Sequence, residues 1–190
     1  YAGQVHDTLE RVQLLVENLW RGQHLGYSGK AITDIVHIGI GGSHLGPELA
    51  ASALQQRNRF NVHYVANIDG HAITEVLAQC HPEKTAFFVV SKSFSTLETL
   101  SNAEASRAWF MERGGSKADI AKHFFAISAN VEQAAEFGVP ESNVFPMWDW
   151  VGGRYSVWSA VGIPIALACG NAAFTEFLAG AHAMDEHFLN

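Results

Sequence analysis

The sequence predicts an α/β fold, a doubly wound sheet of five parallel strands in the flavodoxin-like order 2-1-3-4-5, with helices on both faces and extra helices at the termini. Three observations carry this expectation. Five short runs, residues 34–39, 61–66, 86–90, 123–127 and 143–147, are close to continuously apolar, the pattern of parallel strands covered on both faces. Between them, residues 44–57, 71–79, 96–113 and 131–137 repeat apolar positions with helical spacing. The links between runs are short, as right-handed crossovers of a doubly wound sheet require.

Each element has a local reason. Residues 5–19 place Val12, Leu15, Val16 and Leu19 on one stripe, an amphipathic helix expected to pack across the sheet. The first strand runs into Gly39-Ile40-Gly41-Gly42-Ser43-His44-Leu45-Gly46-Pro47, a glycine-rich turn that opens the next helix. The third strand runs into Ser91-Lys92-Ser93-Phe94-Ser95-Thr96, a hydroxyl-rich turn that opens the helix at 96–113. After the fifth strand, residues 155–169 and 172–189 read as two more helices, separated by Gly170-Asn171 as a helix stop.

Composition removes several function classes. With 48% hydrophobic and 16% charged residues, the chain has the makeup of a packed globular core rather than of a disordered segment. A formal net charge of −7 argues against a nucleic-acid surface, yet leaves room for a local anion site built from amides and arginine. No apolar stretch is long enough for a membrane span, and residues 1–7 lack the basic and apolar regions of a signal peptide. Cys80 and Cys169 are too few for a disulfide framework and lack C-x-x-C spacing, so both are read as buried free thiols in a reducing, cytoplasmic setting. The histidines follow no metal-ligand spacing, and no metal is expected. The missing initial methionine and the helical pattern running to Asn190 read as a fragment of a longer protein.

The two turns and one further stretch carry the chemistry. In open parallel sheets, ligands sit beyond the carboxyl ends of the strands where the strand order reverses, here between the first and third strands, and both turns lie there. Free amides and a helix N-terminus make the glycine-rich turn an anion site; the plain alternative is a tight strand-to-helix turn without ligand. Gly39-x-Gly41 also begins a dinucleotide fingerprint, with Asp69 as a possible ribose acceptor, but His44 stands where the third glycine is required. The hydroxyl-rich turn suits a phosphate monoester; its plain alternative is N-capping by Ser95 or Thr96. Residues 147–159 (MWDWVGGRYSVWS) place Arg154 after a glycine pair and among tryptophans, which suits an oxyanion site; the plain alternative is an ion pair of Arg154 with Asp149 or Glu98. Trp148, Trp150 and Trp158 either line a sugar pocket or pack a second domain.

Three segments in order, residues 38–47 (IGIGGSHLGP), 91–102 (SKSFSTLETLSN) and 148–154 (WDWVGGR), closely resemble the phosphoglucose isomerase family, with the likeness running from about residue 35 to about residue 167. The resemblance implies a phosphosugar-binding (sugar-isomerase) domain over 1–150 and, over 151–190, helices leading toward a second domain absent from this chain. It implies isomerisation of glucose 6-phosphate and fructose 6-phosphate through an enediolate, in a homodimer, with no cofactor and no metal; charge and hydropathy add the expectation of no nucleic acid and no membrane. It places Gly42, Ser43, Ser91, Lys92, Ser93, Thr96 and Gly153 on the substrate and Arg154 on the reaction, with Lys92 acting mainly through its backbone. The family's base, a glutamate, has no counterpart in residues 1–190, and the isolated fragment is expected to be inactive. Many relatives carry Asp where this chain has His44, so that carboxylate's contact does not carry over. A non-catalytic phosphosugar-binding regulatory domain is the alternative, since related folds also bind without chemistry.

Overall fold

The computed structural model describes residues 2–54 and 59–190. In chain order it contains α1 (Ala2–Trp20), β1 (Asp34–Ile38), α2 (Leu45–Leu54), β2 (Asn61–Val65), α3 (Gly70–Gln79), β3 (Thr85–Val90), α4 (Leu97–Glu112), α5 (Ile120–His123), β4 (Phe124–Ser128), α6 (Val131–Phe137), β5 (Val144–Pro146), α7 (Ile163–Cys169) and α8 (Asn171–Leu189). The five strands form one all-parallel sheet in the order β2-β1-β3-β4-β5, as the alternation of elements predicts. The expected C-terminal end of the second helix, at residue 57, lies outside the described residues.

Alternate residues along the strands feed two separate cores. On one face Ile35, Phe88, Val90, Phe125, Ile127 and Phe145 pack with α1, α2, α7 and α8. On the other, Val36, Ile38, Phe87, Val89, Phe124 and Ala126 pack with the helices α3 to α6. Every residue of β1, β3 and β4 is therefore buried, which is why those runs carry so few polar residues. The pairing register sets Phe87 opposite Phe124 and Phe88 opposite Phe125. Their rings stack at 4.6 and 4.9 Å, one pair on each face, and fix the register of β4 from both sides.

Three expectations change. β2 is an edge strand with an exposed or half-buried sequence, Asn-Val-His-Tyr, ahead of buried Val65, because only one neighbour covers it. The single helix expected over 155–169 is broken. Residues Gly153–Trp158 and Ala160–Gly162 are 3-10 turns separated by extended Ser159, and the α-helix begins only at Ile163. Ser159 accepts a bond from the Val161 amide, and Pro164 fits only in a first helical turn, so the start is delayed. Cys80 is buried as expected, but Cys169 is only half-buried, beside the turn into α8.

The termini close onto the sheet. Arg11 of α1 donates to the carbonyls of Ser142 (3.0 Å) and Val144 (2.9 Å), while Trp20 Nε1 donates to Leu167 O at 3.2 Å. The N-terminal helix thus ties the edge strand β5 to α7. Among the described residues no helix is long and apolar enough to cross a membrane.

Candidate functional site

The glycine-rich turn forms because β1 must reverse tightly before α2 starts. Gly41 adopts φ +58°, a left-handed backbone that a side chain would strain, and a Cβ on Gly39 would meet Ser43 O at 2.9 Å. Ser43 O is held from below by His37, whose Nε2 lies 2.6 Å away. Burial inside the sheet pushes the His37 imidazole down to about 4, so it is neutral at ordinary pH and serves as a fixed donor beneath the turn. His44 does not line the cavity described below; it pairs with Glu48 at 2.9 Å and lies against the Tyr64 ring.

His37 carries a pH consequence. An unfolded histidine titrates near 6.5, while the folded ring resists its proton down to about 4. Buried His123 is shifted in the same direction, by desolvation. The unfolded chain therefore binds more protons in that window, and stability falls as pH drops from about 6.5 toward 4. Urea unfolding should show a declining midpoint across those pH values, and an unchanged midpoint would contradict the buried neutral histidines.

The hydroxyl-rich turn has its carbonyls tied back. Lys92 O accepts from the Ala129 amide (2.9 Å) and from Ser128 Oγ (3.0 Å). Ser93 O accepts from Asn130 Nδ2 at 3.5 Å, and the Gln133 side-chain amide, oriented with its nitrogen toward the turn as the surrounding acceptors require, donates to Phe94 O (2.9 Å) and Ser93 O (3.2 Å). Phe94 sits at φ +49°, a cost for a residue with a Cβ, and its buried ring packs edge-on against Phe137 at 6.0 Å. With carbonyls anchored to the tip of β4, the turn is left to present hydroxyls and amides to an anion. Thr96 makes no side-chain cap on α4. Its hydroxyl instead meets Ser91 Oγ at 3.1 Å, and Ser95 bonds to Ser93, so capping is not what these hydroxyls do.

The third segment is fastened to both turns. Lys92 Nζ donates to Asp149 O (2.5 Å) and Val151 O (3.3 Å), a tie that sequence reading did not foresee. Ser156 Oγ lies within hydrogen-bond distance of Gly42 O (3.0 Å) and Gly153 O (2.7 Å). The two backbones come so close there that a Cβ on Gly42 would stand 2.3 Å from Gly153 O. Gly42 is therefore glycine because another main chain occupies the space of its side chain.

These contacts enclose an open cavity of about 850 Å³ at the carboxyl ends of β1, β3 and β4. All seven residues assigned to substrate from the sequence, Gly42, Ser43, Ser91, Lys92, Ser93, Thr96 and Gly153, line it. Arg154 does not line the wall. It is exposed at the rim beside Gly153, its guanidinium 5.0 Å from the Tyr155 ring centroid, and among the described residues it makes no ion pair with Asp149 or Glu98. Asn130, Glu132 and Asp149 also line the cavity. For Asn130 and Glu132 the signal was topological, since in this strand order the tip of β4 must adjoin the tip of β3. Asp69 is engaged as the N-cap of α3, accepting from the His71 amide at 2.9 Å, and lies outside the cavity, which removes the ribose acceptor from the dinucleotide alternative. Trp148 and Trp158 line a different, largely apolar groove against α1 and α8, and Trp150 stacks on Trp148 at 5.3 Å.

Known proteins resemble the chain over nearly all of its length. Glucose-6-phosphate isomerases from Marinomonas sp. (strain MWYL1) and Shewanella halifaxensis (strain HAW-EB4) are each 54% identical to the chain, over 97% and 98% of its length. A crystal structure of a glucose-6-phosphate isomerase from Chlamydia trachomatis D/UW-3/Cx superimposes on the whole chain with a TM-score of 0.82 at 34% identity. The chain spans about a third of the length of these relatives (34%, 35% and 35%). The phosphoglucose isomerase family model matches residues 2–190, and the chain belongs to that family.

Proposed function

We propose that this chain supplies the phosphosugar grip of an aldose-ketose isomerase that interconverts glucose 6-phosphate and fructose 6-phosphate. The observation that carries this reading is the convergence of both turns and the Gly152-Gly153 segment on one cavity whose lining offers hydroxyls and amides while its carbonyls are bonded elsewhere. A phosphate monoester presents acceptor oxygens only, so a surface of donors matches it without a metal. The isomerisation moves a proton between C2 and C1 through an enediolate. Arg154, always charged and unable to act as a base, stabilises the negative oxygen of that intermediate. The proton-transferring base comes from outside these residues; Glu132 and Asp149, the carboxylates of the cavity, are exposed at its edge, which supports that assignment. A cytoplasmic homodimer, as the family resemblance implies, completes the reading.

The test is made in the full-length protein. Ser91→Ala removes a hydroxyl that faces the cavity and bonds to Thr96, and should weaken phosphosugar binding by roughly 1–3 kcal/mol, the scale of a lost bond to a charged group. Calorimetry with fructose 6-phosphate measures this, and unaltered affinity would remove Ser91 from the phosphate. A coupled assay on the unmodified protein distinguishes isomerase from sensor: binding without turnover would favour the regulatory reading.

A further inference from the structure

Away from the cavity, the fold gathers three side chains that the sequence keeps far apart. Asp34 opens β1, His63 lies in the middle of the edge strand β2, and Cys80 follows directly after α3. One donor atom from each, a carboxylate oxygen, an imidazole nitrogen and the thiol sulfur, lies within 4.8 Å of the others. Asp34 and Cys80 are buried and His63 is nearly so. His63 Nε2 is shielded from solvent and makes no hydrogen bond among the described residues. It stands 3.7 Å from Asp34 Oδ1, too far for a hydrogen bond.

We propose that Asp34, His63 and Cys80 form a binding site for a divalent ion of the zinc class. Bond lengths of about 2.0–2.3 Å at tetrahedral angles set neighbouring donors about 3.3–3.8 Å apart, and the Asp34–His63 separation falls in that interval. The donor set, one oxygen, one nitrogen and one sulfur, suits zinc or cobalt rather than magnesium or calcium. The carboxylate is already oriented: Asn61 Nδ2 donates to Oδ1 at 2.9 Å and Thr33 Oγ1 to Oδ2 at 2.7 Å. A water would supply the fourth ligand of a tetrahedral site with three protein donors. Joining residues from β1, β2 and the end of α3, the ion would staple the edge strand, and its role is structural.

The experiment titrates the metal-free full chain with Co²⁺ at mildly alkaline pH. One equivalent should bind with a thiolate-to-cobalt charge-transfer band and tetrahedral visible bands. Cys80→Ser should abolish the charge-transfer band while Cys169→Ser keeps it. Asn61→Ala, which removes no donor, should weaken uptake roughly 10- to 100-fold by loosening Asp34. Zn²⁺ should raise the melting temperature of the wild type over that in chelator. The proposal is overturned if the wild type takes up no more Co²⁺ than a His63→Gln, Cys80→Ser double variant, or if the charge-transfer band survives in Cys80→Ser. Should the double variant not fold, a wild type that shows neither the band nor a Zn²⁺-dependent melting shift overturns it equally.

Discussion

Arg154→Ala in the full-length enzyme should lower kcat by roughly 10²- to 10³-fold while KM changes little, the signature of a donor that acts on charge appearing only in the transition state. The guanidinium sits at the rim next to Gly153, which lines the cavity, and the Tyr155 ring is its neighbour. Without an ion pair to Asp149 or Glu98, it has no carboxylate to leave before turning inward. An enediolate oxygen needs charge that persists at every working pH, and arginine provides it where histidine would titrate. Arg154→Lys should recover part of the rate, since it keeps the charge but loses the planar fork. Steady-state kinetics on both variants decides the matter. A matched loss in kcat and in substrate affinity would mark Arg154 as a binding residue only.

Gly42→Ala should be among the most damaging single methyl additions in the protein. Its Cβ would lie 2.3 Å from Gly153 O and 2.5 Å from Gly153 C, and both atoms are main chain, so no rotamer change relieves the clash. The turn and the Gly153 segment must separate, which also pulls apart the carbonyls that Ser156 joins. We expect a stability loss of about 1–3 kcal/mol from the forced backbone shift. We also expect phosphosugar affinity to fall by at least about tenfold, because two walls of the cavity move. Gly3→Ala is the matched control: it lies in α1, an added Cβ meets nothing within 4 Å, and the change should be neutral or slightly stabilising. Denaturant titration and calorimetry on the pair check both parts, and wild-type behaviour of Gly42→Ala would show that this approach of backbones is not maintained in solution.

Much of this architecture was legible because burial on both faces leaves a strong trace. β1, β3 and β4 are buried at every position and mostly apolar, so alternation with helical segments yields the sheet and its order. β2 carried a weaker trace because an edge strand tolerates Asn61 and His63. The break before α7 was marked by Gly162 and Pro164, but apolar residues on all sides of that stretch imitate a continuous helix. The cavity lining followed from motif resemblance and strand tips. The devices that hold it did not: Phe94 takes a left-handed backbone with no glycine to announce it, and Lys92, Gln133 and Ser156 act through carbonyls that no side-chain pattern reports. Asp34, His63 and Cys80 were equally hidden, since only strand pairing and the crossover through α3 bring them together.

The joint between Gly42 and Gly153 links positions more than a hundred residues apart. During synthesis the amino-terminal strands emerge first and can begin to pair, yet the pocket has no roof until the turn bearing Gly153 and Ser156 has cleared the ribosome. On the proposed function, a half-made chain therefore lacks one wall of the sugar site until that late turn docks.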